Sequence, residues 1–243
     1  MTGLSFDIRR FDSVTSTMDV CRELAQSSHP NGSVVVADEQ TAGRGRMGQT
    51  WFSPRGQALY VSILLRPTLT LQQASWLTML AALAVLDTVD EVGAHATIKW
   101  LNDINLNSRK VCGILVETSI TANKLDYAVL GIGLNVNTDF ALAPPDVRQR
   151  ATSLKQELGT EFDREAILHS LLKNLAARYN QLQRGQHGIA TEYAQHVETL
   201  GQPVRMQAGA EIIGGIATSV DEWGALQIQT SAGLRSVSFG HNL

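Results

Sequence analysis

Gly43-Arg44-Gly45-Arg46-Met47-Gly48-Gln49-Thr50-Trp51 is the stretch on which the reading of this chain turns. Its glycines fall as Gly-x-Gly-x-x-Gly, the formal fingerprint of a dinucleotide-binding, doubly wound sheet. That fingerprint needs a strand before it, a helix opening from it and an acid about 20 residues further on. A strand pattern does precede it, Val34-Val35-Val36-Ala37. No helix pattern follows, because Trp51-Phe52-Ser53-Pro54-Arg55-Gly56 reads as loop, and the region near Ile63 is apolar without an acid. The doubly wound reading is therefore set aside. Glycines let the backbone come close to a ligand. The guanidinium forks of Arg44 and Arg46 match carboxylate or phosphate oxygens, and Trp51 offers a flat face to a ring. The stretch reads as a grip for an anionic small molecule, a nucleotide or an acid about to become one.

Upstream, residues 6–11 form a short strand candidate. Thr15, Ser16 and Thr17 then precede a helical face of Met18, Cys21, Leu24 and Ala25, and Ser16 to Asp19 has capping-box spacing. These hydroxyls either cap a helix or also present themselves, with the helix-start N–H groups, to a polar ligand. Downstream, residues 58–65 read as a buried strand stopped by Pro67. Thr70 to Gln73 has capping-box spacing, and residues 74–89 are apolar nearly all round, as in a buried helix. Residues 97–104 and 110–117 read as two strands of a hairpin carrying Lys99 and Lys110; Asn102-Asp103 at the end of the first suits a turn, which residues 105–108 continue. A lysine between Ile98 and Trp100 must reach an anion or stay in water. A third strand, 127–134, contains Gly131 and Gly133, which predict close approach of a backbone or ligand, and ends at Asn135.

Ala143-Pro144-Pro145 interrupts the pattern. A short helix over 151–158 ends at Gly159, Asp163 caps a long helix that stops at Gly185, and a weaker helix covers 189–200. From Pro203 short strands alternate with turns (204–207, 211–219, 225–230, 235–239), a small antiparallel unit of the SH3 type. The fold class is α+β, a mixed sheet with flanking helices over residues 1–200 and a small β-domain over 201–243. The 243 residues are 44% hydrophobic and 18% charged, with a formal net charge of −3, which excludes a protein that coats nucleic acid or an anionic membrane by charge alone. Cys21 and Cys112 read as buried, reduced thiols. No signal-peptide core and no membrane-length apolar run occurs, so a cytoplasmic enzyme is expected. The scattered histidines include no His-x-x-x-His pair, which sets metal-dependent hydrolysis aside.

Together these motifs resemble the biotin–protein ligases, nearly from end to end of the chain. The resemblance rests on Ser16-Thr17 at a helix start, the Gln-x-x-Gly-Arg-Gly-Arg loop from Gln40 to Arg46 with Trp51 beyond it, Lys99-Trp100-Leu101-Asn102-Asp103, the Lys-x-x-Gly-Ile-Leu-x-Glu strand from Lys110 to Glu117, Gly131 to Asn135, and the C-terminal β-domain. It implies a catalytic domain of the class II aminoacyl-tRNA synthetase and biotin ligase type. The implied reaction joins biotin and Mg-ATP into biotinyl-5′-AMP, then passes the biotinyl group to a lysine of a carrier domain. By family position Lys110 and Arg46 are catalytic. Ser16, Thr17, Met18, Gln40, Arg44, Gly45, Arg46, Lys110 and Gly113 face biotin. Arg46, Trp51, Lys99, Asn102, Asp103, Lys110 and Asn135 serve ATP, and Asp103 helps hold Mg²⁺. The chain departs from the family pattern at Leu101, usually proline, at Met18, often asparagine, and at Gln49, often arginine. A looser turn is expected at Leu101. The Ser-Thr motif begins at residue 16, so no DNA-binding role is expected, while a homodimer through sheet edges is implied by common practice among relatives. A lipoate or octanoate acyltransferase on the same fold and a binding module without turnover remain the alternatives.

Overall fold

The computed structural model describes residues 3–122, 124–185 and 188–242. Its main sheet has seven strands: β1 (Asp7–Phe11), β2 (Ser33–Ala37), β3 (Leu59–Leu65), β4 (Thr97–Lys99), β5 (Asp103–Leu106), β6 (Arg109–Thr121) and β7 (Lys124–Leu134). They lie in the order β1-β2-β3-β7-β6-β5-β4. The β1–β2 pair is parallel and the remaining pairs are antiparallel. The glycine–arginine stretch opens no α-helix, only a 3-10 turn at Arg46–Gly48, and β2 runs antiparallel to β3. Both facts agree with setting the doubly wound reading aside.

β2 and β3 are buried along their whole length, as expected of strands covered on both faces. Alternation assigns the two faces. Val34, Val36, Val61, Ile63 and Leu65 join the main core, with helix α2 (Trp76–Asp90). Val35, Leu64 and Val129 join Met18, Cys21 and Ala25 of helix α1 (Thr17–Gln26). The sheet is thus sandwiched between α1 and α2. Both cysteines are free and buried, and burial pushes the Cys21 thiol up to about 12. α2 needs its apolar circumference because a long helix packs on its far side. After α3 (Pro145–Arg150) and α4 (Leu154–Leu158), that helix, α5 (Arg164–Gln183), starts at the Asp163 cap and buries Leu168, Leu171, Leu172, Leu175, Tyr179 and Leu182. α6 (Ile189–Gln195) follows.

Several elements differ from the sequence expectation. Residues 97–104 are not one strand: the chain reverses at Trp100-Leu101-Asn102, where the Trp100–Leu101 peptide is cis, and gives antiparallel β4 and β5. The two-residue turn Asn107-Ser108, with both residues at positive φ, then leads from β5 to β6. Lys99 and Lys110 therefore sit on β4 and β6 with β5 between them, not on the two arms of one hairpin. The expected helix over 151–158 begins only after Ser153, because Ala151 bridges to Lys110 as strand. The expected helix over 189–200 ends at Gln195, because the next residues pair with β4 through Ile98 N to His196 O (2.8 Å) and Glu198 N to Ile98 O (3.0 Å). The capping box at Thr70 and Gln73 forms reciprocally, but it opens a 3-10 turn ahead of α2.

The C-terminal strands β8 (Pro203–Ala208), β9 (Glu211–Val220), β10 (Leu226–Thr230), β11 (Gly233–Val237) and β12 (His241–Asn242) make the small antiparallel sheet expected, in the order β11-β10-β9-β8-β12. Its inward residues Val204, Met206, Ile213, Ala217, Leu226 and Ile228 are continuous with the main core. Trp223 stacks on Trp76 at 5.6 Å and 5°, and the Trp76 and Trp100 indoles donate to Glu222 O and Gly224 O. No helix among the described residues is long and apolar enough to cross a membrane.

Candidate active site

Strand register creates the site. Across the sheet, Tyr60, Gly133, Gly113, Asp103 and Lys99 fall in one row. Gly131 lies one pleat away, beside Ser62 and Leu115. These residues alternate with core residues such as Ile114, Leu130 and Ile132, so they face the α1 side. Glycines in the middle of that face leave a trough. Two large side chains lie in it. A Cβ on Gly133 would meet the Trp51 Nε1 at 2.7 Å, one on Gly113 would meet Trp51 Cζ3 at 2.8 Å, and one on Gly131 would meet the Met18 Sδ at 2.5 Å. The approach predicted at Gly131 and Gly133 is made by side chains from α1 and from the loop, and Gly113 shares the second of them.

The trough is the floor of a cavity of about 610 Å³, and every residue expected to face biotin or ATP lines it: Ser16, Thr17 and Met18, Gln40, Arg44, Gly45, Arg46 and Trp51, Lys99, Asn102 and Asp103, Lys110 and Gly113, and Asn135. Asp103 is the sole carboxylate among its described lining residues, against five cationic side chains. At one end, Ser16 caps α1 by accepting from Met18 N. Gln40 Oε1 accepts from Thr17 N (2.9 Å) and from the Thr17 hydroxyl (3.2 Å), while Ser62 donates to that hydroxyl at 2.8 Å. The α1 start therefore both caps and lines the cavity. Asp19 does not close the box, because its carboxylate binds Arg22 and Arg44 instead.

Over the middle, the loop folds as a small hairpin. Arg44 bridges Thr50, Gly45 N donates to Gln49 O at 2.6 Å and Trp51 N to Gly43 O at 2.9 Å. Met47 and Gly48 take positive φ at its tip, which a glycine accepts without cost. Lys110 Nζ stands 5.1 Å above the Trp51 ring and 2.5 Å from Asp103 Oδ1. Arg46 Nη1 donates to Asn102 Oδ1 at 2.9 Å, and Asn102 Nδ2 donates to Ile114 O. Burial lowers the Arg46 pKa, with the nearby Asp103 opposing the shift. Arg46 and Lys110 thus converge on the Asn102-Asp103 corner from separate segments. Lys99 is exposed at the rim, so its ammonium stays in water. Asn135 is buried, and its amide donates to Thr152 O.

Sequence reasoning missed the brace behind Lys110. Thr152 N donates to Lys110 O, and the Thr152 hydroxyl, Asn107 and Arg109 all donate to the Glu157 carboxylate. Burial pushes the Glu157 pKa up, but these donors outweigh it and hold the carboxyl below its ordinary value. A lowered folded pKa means stability that is complete above the unfolded pKa, near 4.3, and lost as pH falls through the folded value. Glu157→Gln is expected to be less stable than the parent at neutral pH. The urea midpoints of the two proteins should converge in acid, and a gap independent of pH would exclude this account.

The sequence profile of the Biotin/lipoate A/B protein ligase family matches residues 10–135, and that of the Biotin protein ligase C terminal domain matches residues 199–241. A Biotin--[acetyl-CoA-carboxylase] ligase of Mycobacterium tuberculosis is 33% identical, covering 99% of this chain and 91% of its own length. The chain belongs to the biotin protein ligase family. The Bifunctional ligase/repressor BirA of Bacillus subtilis is 35% identical over 93% of this ligase and 70% of its own length. The biotin protein ligase of Aquifex aeolicus, solved in complex with biotin and ATP, superposes with a TM-score of 0.83 at 29% identity, covering 98% of this chain and 97% of that one.

In this ligase the Leu101 departure leaves a turn with its own restraints. Tyr193, fully buried on α6, donates its hydroxyl to Leu101 O at 2.7 Å, and Trp100 N donates to the Thr199 hydroxyl at 3.2 Å. Tyr193→Phe keeps the ring but orphans that carbonyl. It is expected to cost about 1–2 kcal/mol, read as a lower urea midpoint with an unchanged slope; an unchanged midpoint would show that the bond does not hold the turn.

Proposed function

We propose that this ligase activates biotin with ATP as biotinyl-5′-AMP and transfers the biotinyl group to a lysine of a biotin carboxyl carrier domain. The observation that carries the reading is the convergence of Arg46 and Lys110, from segments far apart in sequence, on a largely cationic cavity. In the first step a biotin carboxylate oxygen attacks the α-phosphorus of ATP and pyrophosphate leaves. Two anions must meet, and fixed cations offset their repulsion without reorganising. Lys110 and Arg46 serve that role. In the second step a carrier lysine amine attacks the acyl carbon and AMP leaves.

Ser16, Thr17, Met18, Gln40, Gly45, Gly113 and the main chain at Arg44 form the biotin side. Trp51, Lys99, Asn102, Asp103 and Asn135 form the ATP side. Among the described residues no cluster of three metal-ligating side chains occurs. A lone carboxylate, Asp103, suits Mg²⁺, which binds through one or two carboxylates together with substrate phosphates. Mg²⁺ held there would neutralise phosphate charge. Residues 1–200 carry the chemistry and residues 201–243 form the β-domain. The reading places the enzyme in the cytoplasm, and a homodimer would pair through the terminal strand β1, since the β4 edge is already occupied by residues 196–198.

The test is mass spectrometry of a carrier domain incubated with the protein, biotin and Mg-ATP. A gain of one biotinyl group is expected, and no gain would refute the reading. Competition between biotin and lipoate separates the acyltransferase alternative, and biotin-dependent ATP–pyrophosphate exchange separates a binding module without turnover.

A further inference from the structure

The two loop arginines have different partners, and the difference assigns them different work. Arg44 forks onto both oxygens of Asp19, Nη1 to Oδ2 and Nη2 to Oδ1, each at 2.8 Å, and also reaches Glu117 Oε1 at 3.4 Å. Arg22 closes the ring onto the same carboxylates, at 2.9 Å to Asp19 and 2.5 Å to Glu117. The side chains of this ring are about one-third exposed. Among the described residues Arg46 has no carboxylate in direct contact; its guanidinium donates to the neutral amide oxygen of Asn102.

We infer that Arg44 is the anchor of the Gly43–Trp51 loop, a positioning residue for Arg46, and not a ligand of the acid substrate. The energetics decide between the two roles. For Arg44 to grip an incoming carboxylate it must release Asp19, exchanging one bidentate charge-assisted pair for another, with little net gain. Arg46 gains a charge–charge interaction outright, because the bond it already holds is to a neutral group. Arg44 also bridges Thr50 within the hairpin, so fastening its guanidinium to α1 through Asp19 and to β6 through Glu117 fixes both arms. That sets where Arg46, at the turn, and Trp51, at the end, come to rest. The ring reduces how much of the loop a ligand must order on binding.

The affinity arm of the test rests on the biotin reading; the exchange arm does not. The variants are Asp19→Asn, Glu117→Gln, Arg44→Gln and the double variant Asp19→Asn with Arg44→Gln. In the ligand-free proteins, amide hydrogen exchange over residues 44–50 is expected to speed up in every variant, with exchange elsewhere and the thermal midpoint nearly unchanged. In titrations with biotin, Asp19→Asn and Arg44→Gln are each expected to weaken affinity about tenfold, with the double variant no worse than either. If Arg44 were a direct ligand, freeing it by Asp19→Asn would leave affinity unchanged or tighter while Arg44→Gln alone weakened it; that pattern, or unchanged loop exchange, overturns the assignment. A parent protein that binds no biotin would refute the function, and the exchange data would still decide whether Arg44 anchors the loop.

Discussion

Lys110→Ala is expected to slow biotin-dependent adenylate formation by about 10²–10³-fold, the loss seen when one preorganised electrostatic donor is removed from a charged transition state. The ammonium sits at one corner of the cationic cavity. It faces Asp103 at 2.5 Å and the Trp51 ring at 5.1 Å, and the other cation that converges on this corner is Arg46. The fold should tolerate the change. The Lys110 main chain stays bonded to Thr152 N, and the Asp103 side chain is 28% exposed, so water can solvate the carboxylate that loses its partner. The stability cost should stay within about 1 kcal/mol, as for partly exposed ion pairs. An interaction made mainly in the transition state lowers kcat and leaves KM nearly unchanged. ATP–pyrophosphate exchange at saturating biotin reads the rate, and urea unfolding reads the stability. An exchange rate equal to the parent's would remove Lys110 from the mechanism.

The parts of the fold that could be read in advance were those set by local pattern. The apolar circumference of α2, the Asp163 cap of α5 and the buried apolar run of β3 needed only neighbouring residues. A turn was legible at Asn102-Asp103 and, through the resemblance, at Leu101, but not the complete reversal at Trp100-Leu101-Asn102 that returns the chain as β5, because those residues include no glycine or proline. The reversal is held by bonds from Tyr193, Thr199 and Gly224, supplied by α6 and the C-terminal unit. Ala151 looked helical for the same reason: its strand-like pairing to Lys110 comes from a residue 41 positions earlier in the chain. The site was legible as a set of residue types and not as a set of roles. Arg44 and Arg46 are the same residue in the same loop. What separates them is Asp19, 25 residues away, and Glu117, 73 residues away, and no spacing within the loop encodes that. Gly131 and Gly133 gave the clearest advance sign of close approach, and only the register that sets Gly113 beside Gly133 shows the floor they share.

That floor supports the second large expectation. Gly133→Val is expected to lower biotin and nucleotide affinity, or the adenylation rate, by about a hundredfold or more, the scale associated with a misplacement of about 1 Å at a reacting site. The Gly133 backbone is ordinary strand, where valine is a favoured residue, so the backbone itself raises no objection. The obstacle is the indole. A Cβ there would lie 2.7 Å from Trp51 Cε2 and Nε1 and 2.9 Å from Cζ2, closer than real contacts allow, so Trp51 must leave its seat and Lys110 loses the ring beneath it. Overpacking of this kind costs about 1–3 kcal/mol. Combining Gly133→Val with Trp51→Ala should restore most of the stability, because the clash is gone, without restoring nucleotide affinity, because the stacking face is gone as well. Gly214→Ala is the control: the nearest heavy atom to its added methyl is 4.0 Å away, and no measurable loss of function is expected. Should Gly133→Val bind biotin and nucleotide as the parent does, the indole's position in the trough would be irrelevant to the chemistry. Should the double variant stay as unstable as Gly133→Val alone, the strain would lie in the sheet and not in the seat of Trp51.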